Sequence, residues 1–74
     1  MKIYNVMQYG AKGDGKTNDA FAIQHAIDDC SKNGGGRVVL PSGHVFYSDS
    51  IRIKANVDLH IQKGASIKRS EERL

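Results

Sequence analysis

"VVLPSG", residues 38–43, is echoed by "LHIQKGA", residues 59–65, about one turn of a coiled chain further on. Each joins a short apolar run to a turn that ends in or contains glycine. Around them the second half of the sequence carries five short strand signals: "RVVL", halted by Pro41-Ser42-Gly43, then "HVFYS", "SIRIK", "VDLHIQ" and "GASIKRS". In "SIRIK", Ile51 and Ile53 face one way and Arg52 and Lys54 the other. In "VDLHIQ", Val57, Leu59 and Ile61 point inward while Asp58, His60 and Gln62 point outward; Ile67 centres the last run. The turns between these runs are too short for helical crossovers between parallel neighbours in one sheet. Two arrangements remain. One is a series of hairpins, although no turn carries the Asn-Gly or Asp-Gly signal. The other is a coil in which each strand moves to a new face and the chain stacks on itself once per turn.

The first half is different in kind. Residues 2–6 are β-prone, with Ile3 and Val6 as buried positions, and "GAKGDGKTN" reads as a loop dense in turn formers. Residues 19–32 read as a helix: Ala20, Ile23, Ile27 and Cys30 recur along one apolar stripe that Ala26 widens, with Gln24 on the exposed side. Thr17 or Asn18 can cap its first free N–H groups, and Asp19 suits its positive end. "NGGG" at 33–36 ends it, because glycine enters the left-handed region without steric cost.

The chain has 74 residues, enough for one small domain with a thin margin of stability. With 26% charged and 39% hydrophobic residues, neither a disordered nor a membrane-embedded chain is indicated. Asn5 and Gln8 interrupt what would be the apolar part of a secretory leader, so the sequence as it stands reads as cytoplasmic. A single cysteine, Cys30, excludes an internal disulfide and any zinc site built on a cysteine cluster; packing in the helix–coil interface accounts for it. The net charge of +3 is spread along the chain, and the tail "KRSEERL" mixes both signs as a solvated face or frayed end does. With Tyr4, Tyr9, Phe21, Phe46 and Tyr47 the only aromatics, a nucleic-acid partner is not expected.

"GAKGDGKT", residues 10–17, satisfies the phosphate-loop pattern G-x-x-x-x-G-K-[ST]. Its surroundings argue against a nucleotide. Asp14 and Asp19 flank the place a phosphate would take, and no apolar strand ending in an acidic residue for the metal follows.

The succession "YGAKGDGKTND…AIQHAIDDC…GGGRVVLPSG…IRIKANVDLHIQKGASI" resembles the N-terminal segment of pectin-degrading β-helix enzymes, most closely the polygalacturonases of glycoside hydrolase family 28. The resemblance runs from Ile3 to about Lys68. Phage tail-spike depolymerases and other pectate-lyase-like proteins open similarly. It implies a mainly β fold: a right-handed parallel β-helix fragment of about one coil, closed by one N-terminal amphipathic capping helix. Residues 1–74 would be the cap and first coil of a longer domain. The parent would hydrolyse α-1,4-galacturonosyl bonds of pectic polysaccharide with inversion. The alternative is a non-catalytic carbohydrate-binding or tail-spike-like module.

"TND" at 17–19, "DDC" at 28–30, "GH" at 43–44 and "RIK" at 52–54 imitate the family's catalytic and substrate-binding motifs, in the right order. Inverting hydrolysis needs two carboxyl groups roughly 6.5–9.5 Å apart. Asp19 and Asp28 or Asp29 on one helix stand about 14–15 Å apart, and Asp28 lies on the face opposite Asp19. No catalytic, cofactor-binding or metal-binding residue is therefore assigned. His25, His44 and His60 read as partly exposed surface residues. The isolated chain is expected to hydrolyse nothing and, having Val57, Leu59, Ile61 and Ile67 near an uncapped end, to self-associate.

Overall fold

The computed structural model describes residues 2–69. Its elements run β1 (Ile3–Asn5), a 3-10 turn (Val6–Tyr9), β2 (Asp14–Asn18), α1 (Ala20–Lys32), β3 (Gly36–Leu40), β4 (Val45–Ser48), β5 (Val57–Ile61) and β6 (Ser66–Arg69). All strand pairs are parallel, and they build two three-stranded sheets, β1-β3-β5 and β2-β4-β6. Consecutive strands alternate between the two sheets, so the chain is a coil and the hairpin alternative is excluded. The fold is a right-handed parallel β-helix.

The pitch is exact. Val38 pairs with Leu59 and Phe46 with Ile67, each 21 positions further on (59 − 38 and 67 − 46). The turn at Pro41-Ser42-Gly43 recurs as a turn at Lys63-Gly64, and Gly43 N–H donates to the Gly64 carbonyl at 3.2 Å. The echoed motifs of the sequence are thus one coil apart in space.

The core lies between the two sheets and α1. Ile23, Ala26, Ile27 and Cys30 of α1 are fully buried against Val6, Val38, Leu40 and Phe46, with Tyr4 and Ala22 nearly so. Burying a Phe or Ile side chain contributes about 1.5–3 kcal/mol, so this cluster is a large stabilising contribution to the coil. The helix ends where expected, with Gly34 (φ 95°) and Gly35 (φ 103°) following the C-cap Asn33, but it starts one residue later, at Ala20, with Asp19 as the N-cap residue. Asn18 Oδ1 accepts from Ala20 N–H at 3.1 Å, whereas Asp19 gives the helix no side-chain cap. Ala20 is only half-buried, and Ala22 takes its expected place on the stripe.

Five expectations need correction. Ile3 is 55% exposed and Tyr4 is the buried residue of β1, because Val6 has left the strand for the 3-10 turn and the pleat is offset by one. The segment "GAKGDGKTN" is loop only as far as Gly13; residues 14–18 form β2, paired with β4 through a bulge in which four steps of β2 match two of β4. "SIRIK" forms no strand. One pitch before Ile51 lies Cys30 (51 − 21), inside α1, so no earlier strand is there to pair with, and Ile53 stays 50% exposed. Ile61, expected inward, is 40% exposed on the last strand of its sheet among the described residues. Gln24 is not a free surface residue: its Oε1 accepts from Arg52 N–H at 2.7 Å and its Nε2 donates to the Arg52 carbonyl at 3.1 Å. Residues 70–74 of the charged tail lie outside the described residues.

These assignments order three substitutions. Ile27→Asp places an unpaired charge in the core and should cost roughly 3 kcal/mol or more, unfolding most of the chain. Gln24→Ala removes both bonds to Arg52 and should cost about 1–2 kcal/mol. Phe21→Ala, at a side chain 88% exposed, should stay within about 0.5 kcal/mol. Urea denaturation of the three variants checks the order; a neutral Gln24→Ala would show that the 50–56 segment is held by something else.

Candidate functional site

Two carboxylates organise the glycine loop. Asp19, almost fully buried, accepts the N–H groups of Lys12 (3.0 Å) and Gly13 (2.9 Å). Asp14 accepts those of Lys16 (2.9 Å) and Thr17 (2.8 Å), and the Thr17 hydroxyl donates to it at 3.0 Å. A phosphate loop works by presenting free amides to the anion. Here four of those amides are already held by the chain's own negative charges, and Lys16 projects from the exposed bulge of β2. The backbone donors of Thr17 and Lys16 also pull the Asp14 carboxyl down from 3.8 to about 2.

The imitation motifs fall in separate places. Asn18 donates to Asp49 across to the end of β4 at 2.7 Å, while its neighbour Asp19 turns back to the loop. Asp28 and Asp29 diverge. Asp28 accepts from Gln24 at 2.9 Å and pairs with Lys54 at 3.0 Å, and these two partners, Gln24 first, hold its carboxyl below the usual range. Asp29 accepts from the Tyr9 hydroxyl at 2.6 Å, which with burial pushes that phenol up to about 12. "DDC" and "RIK" therefore do meet, through Asp28 and Lys54, but as an ion pair joining α1 to the 50–56 segment. His25 stacks edge-to-face on Tyr9 (centroids 5.3 Å), His44 lies against Phe46 (5.7 Å), and His60 is exposed on β5. Among the described residues no three His, Cys, Asp or Glu side chains gather as a metal site. Burial raises the Cys30 thiol pKa, in keeping with a packing role.

Two features were missed from the sequence. One is the Gln24 clamp on the Arg52 backbone, which depends on a contact across 28 positions and leaves no local signal. The other is Phe21, a large apolar ring set outside the helix's buried stripe and 88% exposed. Its position on the helical wheel already signalled it. Beside the clamp runs an open groove of about 360 Å³, lined by Gln24, Asp28, Ser50, Ile51, Arg52 and Lys54.

A two-sheet parallel coil closed by a helix defines the class, and comparison with known proteins defines the family. Residues 3–70 match the family described as rhamnogalacturonase A/epimerase, pectate lyase-like, and the chain belongs to it. Alginate lyase 7 of Azotobacter vinelandii is 68% identical over 61 residues, covering 73% of this chain and 7% of that protein. The exo-poly-α-D-galacturonosidase of Dickeya chrysanthemi is 42% identical over 66 residues, covering 89% of this chain and 10% of that protein. Among solved structures, the family 28 exopolygalacturonase of Yersinia enterocolitica superposes with a TM-score of 0.85 at 40% identity, over 93% of this chain and 12% of that one. The chain thus spans a tenth or less of the length of these curated relatives. Its relatives act on polysaccharides, and they include hydrolases and lyases alike.

The Asp14 bonds set a pH dependence. A carboxyl depressed in the folded state stabilises above its unfolded value, and the benefit is lost as pH falls through the folded value. Stability should therefore drop between about pH 4 and pH 2, and Asp14→Asn should flatten part of that drop. Carbon-detected NMR titration of the Asp14 carboxyl checks the midpoint; a midpoint near 4 would contradict the two amide bonds.

Proposed function

We propose that this chain is the N-terminal cap and first coil of a polyuronate-acting β-helix enzyme, and that it supports the coil without supplying catalytic groups. One observation carries the reading. All six aspartates are spent on structure: Asp14 and Asp19 on the loop amides, Asp28 on Gln24 and Lys54, Asp29 on Tyr9, Asp49 on Asn18 and Asp58 on Arg37. A glycoside hydrolase needs one carboxyl group to protonate the leaving oxygen and a second to activate water or attack the sugar. Among the described residues no pair is released for either task.

The parent's reaction is inverting hydrolysis of α-1,4-galacturonosyl bonds, a reading supported by the galacturonosidase relatives. The 68% identity to an alginate lyase favours a second reading, elimination on an alginate chain. Both substrates are chains of uronic acids, and a segment that only caps the coil serves either chemistry.

Exchange tests this. The chain should replace the aligned segment of the A. vinelandii alginate lyase and leave its activity within about threefold, since no transition-state contact is removed. Incubated alone with polygalacturonate or alginate, the 74-residue chain should release neither reducing ends nor unsaturated uronates. Activity from the isolated chain would overturn the capping role. So would a folded chimera whose activity falls by about a hundredfold or more.

A further inference from the structure

The outer face of α1 carries a built surface that the capping role leaves unused. Two depressions meet there. One is lined by Gln24, Asp28, Ser50, Ile51, Arg52 and Lys54, and the other by Phe21, Gln24, His25 and Asp28. Gln24 and Asp28 line both, so the two adjoin across these side chains as a two-part trough running from Phe21 to Lys54.

Its walls are fixed. Gln24 grips both polar groups of the Arg52 backbone at 2.7 and 3.1 Å, and Lys54 pairs with Asp28 at 3.0 Å. The Arg52 main chain is thereby pinned to the helix while its side chain remains exposed. Among the described residues its guanidinium has no ion-pair or hydrogen-bond partner, and Asp28, the acidic neighbour, is already offset by Lys54. The uncompensated charge of the trough is that of Arg52. At the other end Phe21 presents nearly its whole ring to solvent, beside His25 one helical turn on. Nothing in the packing of α1 uses that ring.

An exposed aromatic face and a free guanidinium on one rigid trough have complementary uses. The face of an aromatic ring is partly negative and suits the polarised C–H face of a pyranose. A guanidinium takes a carboxylate through two parallel N–H donors, a geometry that a lysine cannot copy. A uronic-acid chain offers both groups on every residue. A neutral glycan offers only the first, and an acidic peptide only the second.

We propose that this trough binds an acidic sugar chain, with Phe21 stacking on one ring and Arg52 holding a uronate carboxylate. The surface is non-catalytic and would hold the polymer against the cap. It rests on the polyuronate reading above for its ligand class.

Amide NMR titration of the 74-residue chain with oligogalacturonate tests it, beside a malto-oligosaccharide and polyglutamate. Saturable shifts at Phe21, Gln24, Arg52 and Lys54 are expected with oligogalacturonate alone. Phe21→Ala and Arg52→Ala should each weaken binding at least about fivefold while the remaining spectrum is preserved, and Arg52→Lys should restore only part of the loss. Absence of shifts, shifts centred elsewhere, or equal shifts with polyglutamate that ignore Phe21→Ala would overturn the proposal. An inert trough beside an active chimera would defeat this proposal alone. A binding trough beside an inactive chimera would defeat the capping role instead.

Discussion

Where the chain leaves α1, Gly35 and Gly36 sit between two other passes of the backbone. A Cβ on Gly36 would lie 2.5 Å from the Lys2 carbonyl oxygen, and one on Gly35 would lie 2.5 Å from the Asn56 carbonyl oxygen. Both glycines hold positive φ, 148° and 103°. Sterics and dihedral together leave no room for a side chain at either position. At this pinch Gly36 N–H donates to Asn56 at 3.1 Å and Arg37 N–H donates to Lys2 at 2.8 Å. The β1-β3-β5 ladder starts there, and with it the register of every later strand.

The pinch also explains how a helix fits into a coil. From β1 to β3 the pairing Ile3↔Arg37 spans 34 residues, while β3 to β5 spans 21. The excess, 34 − 21 = 13, equals the length of α1. The first turn of the coil is thus an ordinary turn carrying an inserted helix, and the apolar stripe of that helix fills the end of the core. The same insertion removes any strand that residues 50–56 could pair with. Gln24 and Asp28 hold that segment with side chains instead.

Much of this was legible from the residues, and the exceptions share a cause. The helix, its glycine stop and β3, β4, β5 and β6 follow from local period and turn chemistry; the echo of "VVLPSG" in "LHIQKGA" left coil and hairpins both open, and the resemblance to β-helix enzymes pointed to the coil. β2 was hidden because its strand is bulged and glycine-bearing, so alternation is absent from residues 14–18. "SIRIK" alternates perfectly yet lacks a neighbour to pair with, which no local pattern can reveal. Likewise "GAKGDGKT" kept a phosphate-loop spelling while Asp14 and Asp19 occupied its amides. At the candidate site, residue types were visible but partnerships were not: the meeting of Asp28 with Lys54 depends on two stretches 26 positions apart (54 − 28).

The account stands on one geometric statement, that strands 21 residues apart lie parallel and in register around a helix-filled core. Backbone NOE contacts between successive passes of the chain measure it directly. The account predicts Hα-to-amide contacts characteristic of parallel strands linking β3 near Val38 with β5 near Leu59, and β4 near Phe46 with β6 near Ile67. Hα-to-Hα contacts between β3 and β4 or between β4 and β5, the mark of antiparallel hairpins, would contradict it.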